Sequence, residues 1–220
     1  MSVPSCLQAG VEVARAGANV AICDINHSRI SSVSEEWSKT SAHDGKFLAQ
    51  QADITSESSL KSLVDAVVAK FGRLDVLVNN AGVMDDFTPV GECSRSEWDR
   101  VIGVNLTGSY LATKLAVNQM LAQDPAGRGG SIINIGSNAG MRHGLVGLTK
   151  NTAGFYGPKG IYCSALLLGG MVDTNISEGM GKGEYFHHEM FQAINESQSK
   201  FDVATKGLPL GAVAKNWPEA

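Results

Sequence analysis

Long apolar runs are missing from this chain of 220 residues. None reaches the roughly 18 residues that a membrane-crossing helix needs, and Met1 to Gly10 lacks the charged start and apolar core of a secretory leader. A soluble, cytoplasmic protein without membrane contact is expected. An excess of positive charge is missing too: 18 Lys and Arg stand against 22 Asp and Glu, a net charge of -4, which leaves no basic surface for nucleic acid. Cysteine is scarce, and Cys6, Cys23, Cys93 and Cys163 contain no CxxC pair, so neither a zinc ribbon nor a disulfide framework is indicated; they read as reduced core or filler residues. The adjacent His187 and His188, followed by Glu189, do not share a face of a helix or strand and make a poor metal site. Internal repeats and a Pro/Ser-rich linker are likewise lacking.

What remains is an ordinary globular composition, 43% hydrophobic and 18% charged, enough for one domain with a sizeable core. Strand and helix signals alternate to about residue 170, which argues for one doubly wound α/β domain with a parallel sheet. A helix over Leu7 to Ala16 stops at Gly17, and a strand over Ala18 to Cys23 ends at Asp24. A helix from Ser28 to Lys39 and a strand from Lys46 to Ala52 follow. The clearest helix carries Leu60, Leu63, Val64, Val67, Val68 and Phe71 on one stripe and closes at Gly72. Ser94 and Glu97 have capping-box spacing, which predicts a long helix to Leu121 with Trp98, Val101 and Ile102 on its apolar face. Ser131 to Ile135 and Ile161 to Leu168 read as buried strands, with a weak helix over Gly144 to Phe155 between them.

The segment Leu74 to Gly82 is the most telling. It is apolar along its length and stops at Asn79-Asn80-Ala81-Gly82, as a strand buried on both faces of a parallel sheet would. Ligands of such sheets bind beyond the carboxyl ends of the strands. The Asn-Asn-Ala-Gly motif resembles the signature of short-chain dehydrogenases/reductases, and the resemblance runs from about Leu7 to Asn175. It implies a Rossmann-like fold and an NAD(P)-dependent oxidoreductase of alcohols or ketones. Asn79, Ala81 and Gly82 would then support the sheet and line the cofactor site. Asp24 matches the acidic residue that accepts the adenosine ribose hydroxyls, favouring NAD over NADP; it also suits a helix-capping turn. Asp53 matches an adenine-contacting carboxylate and equally suits a cap of the next helix. Asn105, a poor helix former inside a predicted helix, matches the family Asn that helps hold a water near the active-site lysine; a solvated helix face is the other reading. Ser137 matches the serine that positions the substrate carbonyl or hydroxyl, or is a plain turn serine. Thr174 keeps a position that contacts the cofactor's amide or phosphate region.

Three parts of the family pattern are absent. No tyrosine followed four residues later by lysine comes after Ser137, although His143 to Lys150 resembles what ordinarily follows the catalytic lysine. Tyr110 and Lys114 have the spacing but precede the strand that carries Ser137, and Tyr156 with Lys159 has the wrong spacing. Leu7 onward resembles the helix after the Gly-rich turn, with Cys6 in place of its last glycine, so the first strand and its phosphate-binding turn are not found. Leu208 to Gly211 resembles the approach to a final helix and strand, after which the chain stops at Ala220. The expectation is one incomplete dinucleotide-binding domain over 1–220, with 175–220 a variable substrate-loop and tail region. Each buried unpaired backbone group beside a lost central strand would cost about 1–3 kcal/mol against a total stability of about 5–15 kcal/mol. A marginal fold with weakened NAD binding follows.

Three functional readings stay open: an impaired oxidoreductase, a non-catalytic relative that joins an intact homologue in a homo- or hetero-oligomer, and a truncated splice or gene-model product.

Overall fold

The computed structural model of the chain describes residues 10, 13–14, 16–39, 46–86, 91–123, 129–137 and 142–168. Of the expected first helix Gly10, Val13, Ala14 and Ala16 lie among them; the first three are helical and Ala16 is already in the turn. Thr174, the histidine pair and the expected substrate-loop region fall outside them.

β1 (Val20–Asp24) pairs in parallel with β2 (Phe47–Gln51), Asp24 lying beside Gln51 in register. Between them runs α1 (His27–Lys39), capped by Asn26, whose side-chain oxygen accepts the amide of Ser28 at 2.9 Å. Buried Ile22 and Val33 join this helix to its sheet, and the rings of Trp37 and Phe47 stack at 4.4 Å. α2 (Glu57–Phe71) starts at Ser56, whose hydroxyl accepts from Ser59, and ends at Gly72 with φ 85°, a left-handed turn that suits glycine.

A second sheet has the order β3-β4-β5, all parallel: β3 (Val76–Asn79), β4 (Gly130–Ser137) and β5 (Ile161–Leu168). Among the described residues no strand joins it to the β1-β2 pair. The alternation of strand and helix is that of an α/β fold.

α3 (Arg95–Ile102) runs into a widened π turn (Gly103–Gly108) and on into α4 (Ser109–Gln123), so the single helix expected from Ser94 to Leu121 is interrupted. α5 (Arg142–Tyr156) returns to β5 through a short 3-10 turn (Gly157–Lys159). Val117 and Met120 of α4 pack on Ile132 of β4 and Ile161 of β5, the centre of the larger core. No helix among the described residues is long and apolar enough to cross a membrane.

Two sequence expectations need correction. β3 is not buried on both faces: Leu77 and Asn79 face α4, whereas Val76 and Val78 are each 52% exposed. Their neighbours across the same face, Tyr162 and Leu166, are exposed as well. An apolar run shows that a strand is hydrophobic; it does not show how many helices cover it. Trp98 is not on the buried face of its helix either, being more than half exposed, while Val101 is buried.

One close approach fixes the base of this sheet. Gly129 (φ 65°) lies against Gly160 (φ 78°), so that a Cβ on Gly129 would stand 1.8 Å from the Gly160 carbonyl oxygen. The Gly130 amide donates to that same carbonyl at 3.2 Å.

Candidate cofactor edge

All five strands run parallel within their sheets, so β1 delivers Asp24, β3 delivers Asn79 and β4 delivers Ser137 at their carboxyl ends. This is the edge where ligands of open α/β sheets sit.

Asp24 is the last residue of β1. One carboxylate oxygen accepts the Asn26 amide at 2.8 Å, and the other lies 3.6 Å from Nη1 of Arg29. Since Asn26 caps α1, Asp24 is not that cap; it shapes the turn and still presents a carboxylate at the strand end. Arg29 was not singled out in the sequence, where it reads as an ordinary helix-surface cation. Asp53 follows β2 by two residues, and its Oδ1 accepts both the amide and the hydroxyl of Thr55, at 2.8 and 2.7 Å. Helix α2 takes its cap from Ser56, so Asp53 organises the approach to the helix rather than its first turn.

Asn79 points into the protein. Its Nδ2 donates to Oδ1 of Asn134 at 2.8 Å and to the Thr113 hydroxyl at 3.1 Å, with the Ser109 carbonyl at 3.4 Å. Asn134 is fully buried and passes the chain on, its Nδ2 donating to the Thr149 hydroxyl at 2.9 Å; Thr149 in turn donates to the Leu145 carbonyl at 2.8 Å. A polar thread therefore crosses from β3 through β4 to α5. The signal for Asn134 was present in the sequence as a lone amide within Ile132-Ile133-Asn134-Ile135. What Asn79 gives to the edge is position: it anchors the strand end, and Asn80, Ala81 and Gly82 emerge exposed beyond it. The Cys163 thiol sits 3.6 Å from Asn134 Nδ2, and burial pushes its pKa upward, with a hydrogen bond to Thr149 opposing.

Asn105 lies in the π turn, not on a solvated helix face. Its Oδ1 accepts the Val83 amide and its Nδ2 donates to the Val83 carbonyl, both at 2.8 Å. Gln123, at the far end of α4, closes on Leu74 in the same way, accepting its amide at 2.9 Å and donating to its carbonyl at 2.6 Å. Two side-chain amides thus bracket β3. The lengths agree: 18 helical residues rise about 27 Å at 1.5 Å each, and nine extended residues span about 30 Å. Widened turns of this kind recur at functional sites.

Ser137 is the last residue of β4, beside Leu168 of β5 in register. The edge thus runs through Asn79, Ala81 and Gly82 along one strand end, has Asn105 bonded to Val83, the residue after that motif, and places Ser137 at the end of the adjoining strand. Asp24 and Asp53 belong to the other sheet, and Thr174 lies outside the described residues.

These features fit a dinucleotide in part. A carboxylate stands at the end of β1, and beyond the end of β3 Gly82 is exposed, where an added Cβ would make ordinary contact with Asn105 Oδ1 at 3.5 Å.

Comparison with known proteins identifies the family. Residues 7–184 match the family described as short chain dehydrogenase. The chain is 43% identical over 197 residues to the short chain dehydrogenase/reductase dpfgG of Gibberella zeae, covering 83% of this chain and 70% of that one. It is 47% identical over 194 residues to dpchG of Colletotrichum higginsianum, covering 82% and 69%. Among solved structures it superimposes on levodione reductase with a TM-score of 0.69 at 26% identity, covering 88% of this chain and 74% of that one.

Proposed function

Because this chain belongs to the short-chain dehydrogenase/reductase family of oxidoreductases, we propose that it retains a binding edge for NAD, in preference to NADP, on a scaffold built for alcohol or ketone substrates, and that its own turnover is impaired. The observation that carries the first half is the Asp24 carboxylate at the end of β1: an anion there accepts ribose hydroxyls and repels a 2′-phosphate. A nicotinamide, when bound, gives or takes the hydride. The chain must then orient the ring, through the Asn79 to Gly82 turn, and hold the substrate oxygen, the role proposed for Ser137.

The second half follows from a proton. Hydride transfer to a carbonyl leaves an alkoxide that must be protonated, and no tyrosine with a lysine four residues on follows Ser137. General acid catalysis is worth about 10²–10⁴-fold. Mixing the chain with NADH and a panel of ketones tests both halves. Saturable NADH binding with turnover at least a hundredfold below that of an intact relative is expected. Robust turnover abolished by Ser137→Ala overturns the impairment, and absence of NADH binding overturns the cofactor edge.

A second reading is favoured by Tyr110 on α4 and Phe155 on α5, both exposed aromatics. By family resemblance these two helices form the subunit contact, so the chain would act by joining an intact homologue. Co-purification with such a homologue supports this reading; failure to associate with any excludes it.

A further inference from the structure

The backbone that leaves Gly82 is held by side chains of the helix beside it, at three successive points. Asn105 closes on Val83 through both of its polar atoms. Arg100 Nη2 donates to the Met84 carbonyl at 3.0 Å, and Glu97 Oε1 accepts the Asp86 amide at 2.7 Å. The last bond is a diversion. Glu97 stands at the third position after the cap Ser94, whose hydroxyl accepts the Glu97 amide at 3.1 Å. In a reciprocal capping box the glutamate carboxylate would turn back to the Ser94 amide; here it reaches out to the loop.

The π turn makes the three anchors possible. At about 100° per residue an unbroken α-helix would carry Asn105 about 140° round from Arg100, and about 80° from Glu97. The i to i+5 winding of Gly103–Gly108 turns the chain less per residue and swings Asn105 back toward the face that carries Glu97. Helix and loop are thus registered to each other: anchors at 97, 100 and 105 meet Asp86, Met84 and Val83 in reverse order, as antiparallel segments should.

We propose that Glu97 and Arg100 are positioning residues for the cofactor edge: with Asn105 they clamp Val83 to Asp86, so that exposed Ala81 and Gly82 are preset before a dinucleotide arrives. This rests on the cofactor reading above and extends it to two side chains that need not touch the ligand. Both bonds are charge-assisted, the stronger class of hydrogen bond. Preorganisation of this kind raises affinity by reducing the ordering required on binding.

The test is NADH titration of the full chain by fluorescence, with amide exchange over residues 83–86 and the melting temperature recorded for each variant. Glu97→Ala and Arg100→Ala are expected to speed exchange at Asp86 and to weaken NADH binding about five- to tenfold, the effect of about 1–1.4 kcal/mol. Glu97→Gln, which keeps an acceptor oxygen, restores affinity to within about twofold of the parent on the same scale. Unchanged affinity in both alanine variants while the parent binds overturns the clamp alone. Loss of affinity that merely tracks a fallen melting temperature, without rescue by Glu97→Gln, also overturns it. A parent chain that binds no NADH overturns the cofactor reading and the positioning role with it.

Discussion

Asn134 is the residue on which most of the internal polar order depends. Fully buried, it accepts from Asn79 and donates to Thr149, so Asn134→Ala takes the donor from the buried Thr149 hydroxyl, leaves half-buried Asn79 with only its Thr113 and Ser109 acceptors, and opens a cavity. A loss of about 2–4 kcal/mol is expected in urea unfolding. A double-mutant cycle with Asn79→Ala should give a coupling of about 0.5–3 kcal/mol. At the carboxyl end of β1, Asp24→Ala removes the carboxylate proposed to repel a 2′-phosphate and leaves the Arg29 cation in place. Comparative NADH and NADPH titrations should shift preference about tenfold toward NADPH, worth about 1.4 kcal/mol. Cys163 gives a pH signature. Burial raises its folded pKa above the ordinary value of 9.0, so the folded state holds the thiol proton more tightly than the unfolded chain does. Its contribution to stability is complete below about pH 9 and falls as pH rises through the raised folded value. Melting curves from pH 8 to 10 for the parent and Cys163→Ala should diverge accordingly, the parent losing more on the alkaline side.

The elements show which signals a sequence carries well. The apolar stripe of helix α2 and its Gly72 stop were legible because both are local, whereas its start was not fixed to the residue: Asp53 suited the cap equally in the sequence, and the structure gives it to Ser56. The break between α3 and α4 was not legible, since the widened turn answers to Val83 and Ile54, which are distant in sequence. The glutamate of the capping-box pattern was read correctly as a helix start, yet its carboxylate serves a loop that only the fold brings near. The bracket around β3 separates two roles that sequence alone would treat alike. Gln123→Ala should lower stability by about 1–3 kcal/mol, through the unpaired Leu74 groups, and leave NADH affinity unchanged. Asn105→Ala should lower both, because Val83 adjoins the cofactor edge; thermal melts beside NADH titrations distinguish the pair.

At the scale of the molecule, the two sheets communicate through their helices. Lys114 of α4 meets Glu57 of α2 at 2.7 Å, an exposed pair of small energetic consequence. Gly108 is tighter: a Cβ there would lie 2.6 Å from Cδ1 of Ile54, which follows β2. Gly108→Ala should therefore cost about 1–3 kcal/mol by overpacking, and Ile54→Val should recover part of that loss; urea unfolding of the two single variants and the double variant checks it. The overall α/β order was legible because strand and helix periodicities alternate over most of the chain. The exposure of Val76 and Val78 was not, because an apolar strand looks the same whether one helix layer covers it or two. Ancestry was legible from Asn79 to Gly82, Asp24, Asn105 and Ser137, whereas the inward role of Asn79 depends on which side of the sheet α4 occupies.

The contact between Gly129 and Gly160 also sets how this chain can vary. With a carbonyl oxygen 1.8 Å from where any side chain would begin, no repacking of neighbouring side chains could make room at position 129. In a saturation library selected for folded protein, position 129 should therefore behave as a single-letter site. Gly72, whose added Cβ would meet nothing within 4 Å, would pay only for its left-handed backbone and should admit asparagine. Two glycines that look alike in a sequence would thus carry very different amounts of heritable information.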